Sequence, residues 1–214
     1  NRQSLENFTV VTAENQTKGK GQMGAVWASE VGKNLIMSVL VKDFLPNINQ
    51  VFNLNIAVSL AVLETLESLN IPGLSIKWPN DIMSYAKKVG GILIENSIKS
   101  DGSIHSIVGL GLNINQINFE SLPKASSLAV ICSKEFDKEK VLVLIVENIK
   151  GKLQLWNELS DSFWKEYATK LFKKGQAVAF SNEGNQKFMG IIQGVSSIGK
   201  LQILLEDDAI AEFN

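Results

Sequence analysis

The sequence predicts a mixed α/β part followed by a small all-β module. Two observations predict the first part: short runs rich in β-branched residues, and longer segments whose apolar residues recur at the helical period. The third observation is a change after residues 173–175, where only short strand-like runs separated by turn residues remain. At roughly 100–200 residues per domain, the 214 residues suffice for one medium and one small domain.

Strands are expected where apolar and β-branched residues form short runs bounded by polar or turn residues. In the first part they are predicted at residues 8–13, 34–41, 75–78, 88–95 and 103–114, with a turn at residues 100–103. A polar, glycine-rich loop separates the first two strands and covers residues 14–24.

Three helices are predicted between and after these strands. Over residues 50–69 the apolar positions fall on one helical face, and Pro72-Gly73 ends the segment. Asp137 is the expected N-cap of a second helix, whose apolar stripe runs from Val141 to Trp156. A third helix is predicted over residues 160–171.

Four short strands are predicted in the last part, at residues 176–180, 187–195, 201–205 and 209–213. Turn residues separate them, as in a small barrel or meander. We therefore divide the chain into residues 1–172 and residues 173–214.

The composition excludes several classes of protein. Twenty-one basic and 22 acidic residues give a net charge of -1, which argues against a protein held mainly by nucleic-acid phosphates. One cysteine, Cys132, and one histidine, His105, exclude an internal disulfide, a cysteine metal cluster and two-histidine metal motifs. The longest apolar runs, such as Val141–Val146, are too short to span a bilayer, and residues 1–4 have no apolar signal core. We therefore expect a cytoplasmic protein without a membrane partner.

The segment Gly19–Gly24 formally matches the dinucleotide motif G-x-G-x-x-G. That motif requires a strand directly before it and a helix directly after it, whereas another strand candidate follows here. Its glycines would still let the backbone approach a ligand closely, and Lys18 and Lys20 could face a carboxylate or a phosphate. A solvated surface turn explains the segment equally well.

The turn Lys77–Asp81 reads KWPND. Its Asn80 and Asp81 are candidates to hold Mg²⁺ together with nucleotide phosphates. A turn that is capped by its own Asn and Asp side chains accounts for the same pair.

Glycines interrupt the two strands that follow. Lys88 precedes Gly90-Gly91, and adjacent glycines in a strand indicate close approach by a ligand or by another backbone. A lysine in that place would neutralise a phosphoryl oxygen, although a solvated hairpin tip is the common alternative. The segment Gly109–Asn115 repeats the pattern, and its asparagines would hydrogen-bond a base or a ribose, or cap a bulge.

The order of these segments resembles the bacterial biotin–protein ligases. The matching series is Gln16-x-x-Gly19-x-Gly21-x-x-Gly24-x-x-Trp27, Asn34-Leu35-x-x-Ser38, Lys77–Asp81, Lys88-x-Gly90-Gly91-Ile92-Leu93-x-Glu95 and Gly109-x-Gly111-x-Asn113-x-Asn115. The resemblance implies the catalytic-only type without a DNA-binding domain. Its fold would be a mixed sheet flanked by helices, of the class II synthetase and biotin–lipoate ligase kind, with an SH3-like C-terminal β-barrel.

The resemblance also implies a two-step reaction. ATP, with Mg²⁺, activates biotin to biotinyl-5′-adenylate, and a lysine of the biotin carboxyl carrier domain of a carboxylase then takes the biotin and releases AMP. The expected partners are biotin, ATP and that carrier domain, with no nucleic acid. The resemblance is compatible with a homodimer.

Site residues follow from the matching motifs. Lys88, Asp81 and Lys20 are the implied catalytic residues, and Asp81 is also a candidate to accept the proton of the incoming lysine. The implied biotin contacts are Gln16, Lys20, Gly21, Gln22, Lys88, Gly91, Gly109 and Gly111. The implied nucleotide contacts are Gly19, Lys20, Asn80, Lys88 and Asn113, and the implied magnesium ligands are Asn80 and Asp81.

The loop departs from the family pattern G-R-G-R-x-G-R, because Lys20, Gln22 and Ala25 stand at the arginine positions. This departure keeps open a non-catalytic biotin-binding scaffold, against which Lys88 and Asp81 argue. A lipoate or octanoate ligase is the other alternative. That family has a serine- and glycine-rich loop followed by a histidine, and this sequence has no such run.

Overall fold

The computed structural model describes residues 5–181 and 184–214, apart from the side chain of Met23. Its main sheet has six strands, in the order β1-β4-β8-β7-β6-β5. They are β1 (Val10–Thr12), β4 (Leu35–Lys42), β5 (Leu74–Lys77), β6 (Asp81–Ser84), β7 (Lys87–Ile98) and β8 (Ile104–Leu112). Neighbouring strands of this sheet pair antiparallel, and the parallel contacts between described residues are two isolated bridges, Ile76–Leu171 and Lys88–Ala125.

Two further strands, β2 (Gly19–Lys20) and β3 (Val26–Trp27), form a small antiparallel ribbon within the glycine-rich segment. The sequence predicted a loop there, because two-residue strands are too short to show a period. Residues 22–24 form a single 3-10 turn between the two strands.

Four α-helices in the described part of the chain contribute residues to the core. They are α1 (Val51–Ser68), α2 (Leu128–Cys132), α3 (Lys138–Gln154) and α4 (Trp156–Thr169). The Asp137 carboxylate accepts hydrogen bonds from the backbone of Glu139 and Lys140, which confirms the predicted N-cap. The predicted stripe continued to Trp156, but Leu155 ends α3 and Trp156 already begins α4.

Helix α1 is buried on nearly all sides, because it lies between the sheet and helices α3 and α4. The prediction of a single apolar face was therefore too narrow. The 21-residue segment Ile48–Ser68 is also long and apolar enough to cross a bilayer by length and composition, since an 18-residue window in it has a mean hydropathy of 1.2. This differs from the expectation that every apolar run is too short, but 67% of that window is buried inside the protein, as in a core helix.

The last part forms a separate four-stranded antiparallel sheet in the order β12-β11-β10-β9. Its strands are β9 (Ala177–Ser181), β10 (Lys187–Val195), β11 (Leu201–Leu204) and β12 (Ile210–Phe213), close to the four predicted segments. The indole Nε1 of Trp78 donates to the carbonyl oxygen of Gly199, 2.9 Å away in the β10–β11 turn. The division into residues 1–172 and 173–214 stays a prediction.

Candidate functional site

A cavity of about 440 Å³ lies over the open face of β4, β7 and β8. Its floor is bare backbone, because Gly91 and Gly111 stand directly opposite each other in the β7–β8 pairing. Gly109 lies two residues before Gly111 on the same face of β8. The paired glycines therefore leave room for a ligand against the sheet, as the sequence predicted for glycines within strands.

A β-bulge turns Lys88 toward this floor. The pairing of β6 with β7 shifts between Ile82 and Met83, so that Val89 and Gly90 are both buried. Strict alternation would place residues 88 and 91 on opposite faces, and the extra residue brings them together. An ideal Cβ on Gly91 would lie 3.3 Å from the Lys88 Nζ.

Lys88 forms an ion pair with Asp81 across the β6–β7 pairing. The Nζ of Lys88 and the Oδ1 of Asp81 are 2.5 Å apart, with side-chain exposures of 36% and 20%. The backbone of Lys88 is held by the carbonyl of Lys124 and the amide of Ser126. The cation is therefore fixed at one end of the glycine floor, where it can meet a carboxylate or a phosphate.

Trp27 covers the floor from the β2–β3 ribbon. Its ring lies against Gly111, where an added Cβ would be 2.5 Å from the indole Cε2. The Nζ of Lys88 is 5.8 Å from the ring centroid. Gly19 pairs with Trp27 in the ribbon and has no room for a side chain, since a Cβ would lie 2.3 Å from the Trp27 carbonyl oxygen.

The charges around the cavity are unevenly distributed. Four lysines line it, which are Lys18, Lys20, Lys77 and Lys88. Two carboxylates line it, Asp81 and Glu95. Because the lysines outnumber the carboxylates, the lining carries a net positive charge that suits an anionic group.

The structure brings most of the predicted site residues together. Lining this one cavity are Gln16, Lys20, Gly21, Gln22, Asn80, Asp81, Lys88, Gly91, Gly109 and Gly111. Gly19 and Asn113 do not line it. Their assigned nucleotide contacts stay predictions, as do the roles of the residues that line the cavity.

The asparagines of the motifs make structural hydrogen bonds. The Nδ2 of Asn113 donates to the Ser126 carbonyl oxygen at 3.0 Å, and this side chain is buried. Asn115 bonds both backbone groups of Phe136, at 2.8 and 2.9 Å, and so ties the segment after β8 to the segment before α3. Asn80 lines the cavity, but its Nδ2 donates to the Ile92 carbonyl oxygen at 2.5 Å.

Several lining residues were not among the predicted site residues. Lys77 and Trp78 belong to the KWPND turn, and Glu95 ends the motif that begins at Lys88. The sequence could have identified these three residues as site residues, because they lie within the motifs that carry the other ones. The Nε1 of Trp27 is buried and has no hydrogen-bond partner in the described part of the chain, so it remains available to a bound molecule.

Comparisons with known proteins relate this chain to one family of ligases. The model of the biotin/lipoate A/B protein ligase family matches residues 1–113. The biotin–[acetyl-CoA-carboxylase] ligase of Mycobacterium tuberculosis is 27% identical over 195 residues, which is 90% of this chain and 71% of that protein. The bifunctional ligase/repressor BirA of Bacillus subtilis is 33% identical over 138 residues, and the chain spans 42% of its length.

Solved structures extend the similarity to the whole fold. The biotin protein ligase of Aquifex aeolicus in complex with biotin and ATP superposes with a TM-score of 0.82 at 30% identity. The alignment covers 99% of this chain and 88% of the Aquifex chain, so it includes the C-terminal sheet. It confirms the class II synthetase-like fold, and the C-terminal strands are consistent with an SH3-like barrel. The chain belongs to the biotin/lipoate A/B protein ligase family.

Proposed function

We propose that this protein activates biotin with ATP to biotinyl-5′-adenylate and transfers biotin to a lysine of a carboxylase carrier domain. The observation that carries the proposal is the Lys88–Asp81 ion pair at the end of the Gly91–Gly111 floor, inside one cavity with the glycine-rich loop. A similar protein is named biotin–[acetyl-CoA-carboxylase] ligase, and a similar biotin protein ligase was solved with biotin and ATP.

The first step joins two anions and therefore needs nearby cations. A carboxylate oxygen of biotin attacks the α-phosphorus of ATP, and pyrophosphate leaves. Lys88 would neutralise the reacting oxygens from the floor, while Lys18 and Lys20 approach from the loop. In the second step the acceptor amine forms a C–N bond to the biotinyl carbon, and AMP leaves.

Biotin is favoured over lipoate by the polar groups of the cavity. The ureido ring of biotin has N–H donors and a carbonyl acceptor, whereas the dithiolane ring of lipoate has neither. Gln16 lines the cavity and offers an amide that both donates and accepts. A site with such groups discriminates against a ligand that leaves them unpaired.

Magnesium belongs to the proposed reaction, and the residues of the cavity can supply a few of its ligands. Mg²⁺ is usually held by one or two carboxylates together with substrate phosphates. Asp81 would supply the carboxylate, and Asn80 would supply its Oδ1, since its hydrogen bond to the Ile92 carbonyl oxygen uses the Nδ2. No group of three His, Cys, Asp or Glu side chains suited to a metal occurs among the described residues. The ion would neutralise phosphate charge, and most of its ligands would come from ATP and water.

The half-reactions offer a direct test of the function. Biotin-dependent exchange of pyrophosphate into ATP measures the first step alone. We expect exchange with biotin, and at least about tenfold less with lipoate or octanoate at equal concentration. Exchange with lipoate or octanoate but not with biotin would move the protein to the sister activity, and biotin binding without exchange would favour a scaffold.

Asp81 is expected to act through Lys88. In Asp81→Asn the carbonyl and amide groups cannot hold the lysine as the carboxylate does, so both half-reactions should slow by about 100-fold. Pyrophosphate exchange and single-turnover transfer from preformed adenylate measure the two steps. Normal exchange with slow transfer would contradict this expectation and support Asp81 as the base for the incoming lysine.

The substituted loop is expected to hold the intermediate loosely. Gln22 and Ala25 line the cavity and carry no charge, and Lys20 lacks the planar fork of arginine. We expect free biotinyl-adenylate to separate from the protein on gel filtration. Gln22→Arg should slow its release by about tenfold through one charge-assisted contact. Gln193→Arg, on an exposed strand position of the C-terminal sheet, is the matched control.

Stoichiometric retention of the adenylate by the unmodified protein would contradict this prediction. The proposed carrier partner, a homodimer, a cytoplasmic location and the lack of nucleic-acid binding stay predictions.

A further inference from the structure

Glu95 is the one carboxylate at the cavity that has no ion pair in the described part of the chain. Asp81 is already bound to Lys88, at 2.5 Å. Glu95 is exposed, and none of the ion pairs between described residues includes it. An unpaired carboxylate in this cavity lining would repel an anionic substrate, so it suits a cationic ligand.

The position of Glu95 places it at the mouth of the cavity. Gly91, Leu93 and Glu95 share one face of β7, since strand side chains alternate. Four residues at about 3.3 Å each separate the backbone of Glu95 from Gly91 by about 13 Å. Its partner in β8 is Ile107, which also lines the cavity and is 48% exposed. The carboxylate therefore stands beside exposed apolar surface, away from the Lys88 end.

We propose that Glu95 binds the ε-ammonium group of the acceptor lysine as it enters the cavity, with Ile107 contacting the alkyl stem. This inference rests on the proposed ligase function and names a residue for its second step. Biotin's carboxylate and the phosphates of ATP are anions, so the acceptor lysine is the cationic side chain in the reaction. A carboxylate at the entrance would raise the local concentration of the acceptor lysine and orient that side chain along the sheet.

The chemistry of transfer is compatible with this position. The ammonium group loses one proton to solvent at the mouth, and the neutral amine moves toward the anhydride. Its nitrogen forms the C–N bond to the biotinyl carbon while the C–O bond to AMP breaks. AMP leaves with the bonding electrons, and the nitrogen loses its second proton to solvent to give the amide. Glu95 is thus a positioning residue for the acceptor, and Lys88 remains at the reacting end.

The test compares Glu95→Gln with the unmodified protein on separate half-reactions. Glutamine keeps the size of the side chain at an exposed position, so folding should be retained. We expect unchanged biotin-dependent pyrophosphate exchange. We expect kcat/KM for the carrier domain to fall about tenfold, with a larger fall in Glu95→Lys. Glu147→Gln, which removes an exposed carboxylate from α3 far from the cavity lining, should leave transfer unchanged.

Two further readouts separate recruitment from a general structural effect. Biotinyl transfer to hydroxylamine, which is uncharged near neutral pH, should be equal in Glu95→Gln and the unmodified protein. The difference in transfer to the carrier domain should shrink at high salt, because salt screens exposed charges.

Two results would overturn the inference while leaving the ligase function intact. One is an unchanged kcat/KM for the carrier domain in Glu95→Gln. The other is a raised KM for biotin in the exchange assay, which would assign Glu95 to biotin. Lack of biotin-dependent exchange in the unmodified protein would instead overturn the ligase function, and the role of Glu95 with it.

Discussion

Replacing Lys88 by alanine is expected to lower the rate of biotinyl-adenylate formation by about 10²–10³-fold. The lysine is the cation fixed at the glycine floor, and the substitution leaves the Asp81 carboxylate unpaired beside the incoming anions. Both effects oppose the approach of biotin's carboxylate to the α-phosphate. The measurement is biotin-dependent pyrophosphate exchange at saturating substrates.

The adjacent lysine provides a matched control. Lys87 is exposed, and its Nζ donates to the Pro123 carbonyl oxygen outside the cavity. Lys87→Ala removes the same charge from the same strand and should retain exchange within about twofold, as expected for a surface substitution. Equal activity of Lys88→Ala and Lys87→Ala would show that Lys88 is not the reacting cation.

Placing a methyl group on the floor is expected to have the second largest effect. In Gly111→Ala the new Cβ would lie 2.5 Å from the Trp27 Cε2 and 2.6 Å from its Cζ2. The indole must shift, and the methyl group takes space over the sheet. Overpacking of this kind costs about 1–3 kcal/mol, so we expect biotin affinity to fall about tenfold or more.

Gly151→Ala is the matched control for this substitution. Gly151 lies within α3, and an added Cβ there meets no atom within 4 Å. Alanine should raise the free energy of unfolding by about 0.5–1 kcal/mol and leave biotin binding unchanged. Isothermal titration with biotin and thermal unfolding measure both variants. Wild-type biotin affinity in Gly111→Ala would contradict the proposed floor.

The site could be predicted from the sequence largely because it lies within contiguous motifs. Gly91 and Gly111 are far apart in the chain, yet glycine within an apolar strand indicated close approach at each. Their direct pairing depends on the β7–β8 register, which the turn at residues 100–103 sets. The period of the apolar residues and the turn residues between segments were enough to predict strands and helices. Most of these elements therefore were predicted near their observed positions.

Other features were not accessible from local patterns. The bulge that turns Lys88 toward Gly91 arises from the pairing of β6 with β7, and β6 itself was not predicted. Asn113 was predicted to contact the nucleotide, because a side-chain amide can hydrogen-bond a base. The same amide can equally well hydrogen-bond a backbone carbonyl. Only the tertiary fold shows that it bonds the carbonyl of Ser126. Burial of α1 on nearly all sides likewise depends on what packs around it.

Mass measurement of a labelled acceptor would show whether this protein is a biotin ligase. An unmodified carrier domain of a biotin-dependent carboxylase would be incubated with this protein, Mg²⁺ and ATP, and with either biotin or lipoate. We expect a biotin-sized mass increase on one acceptor lysine, dependent on ATP and lost in Lys88→Ala. A mass increase with lipoate alone, or tight biotin binding without any labelling, would contradict it.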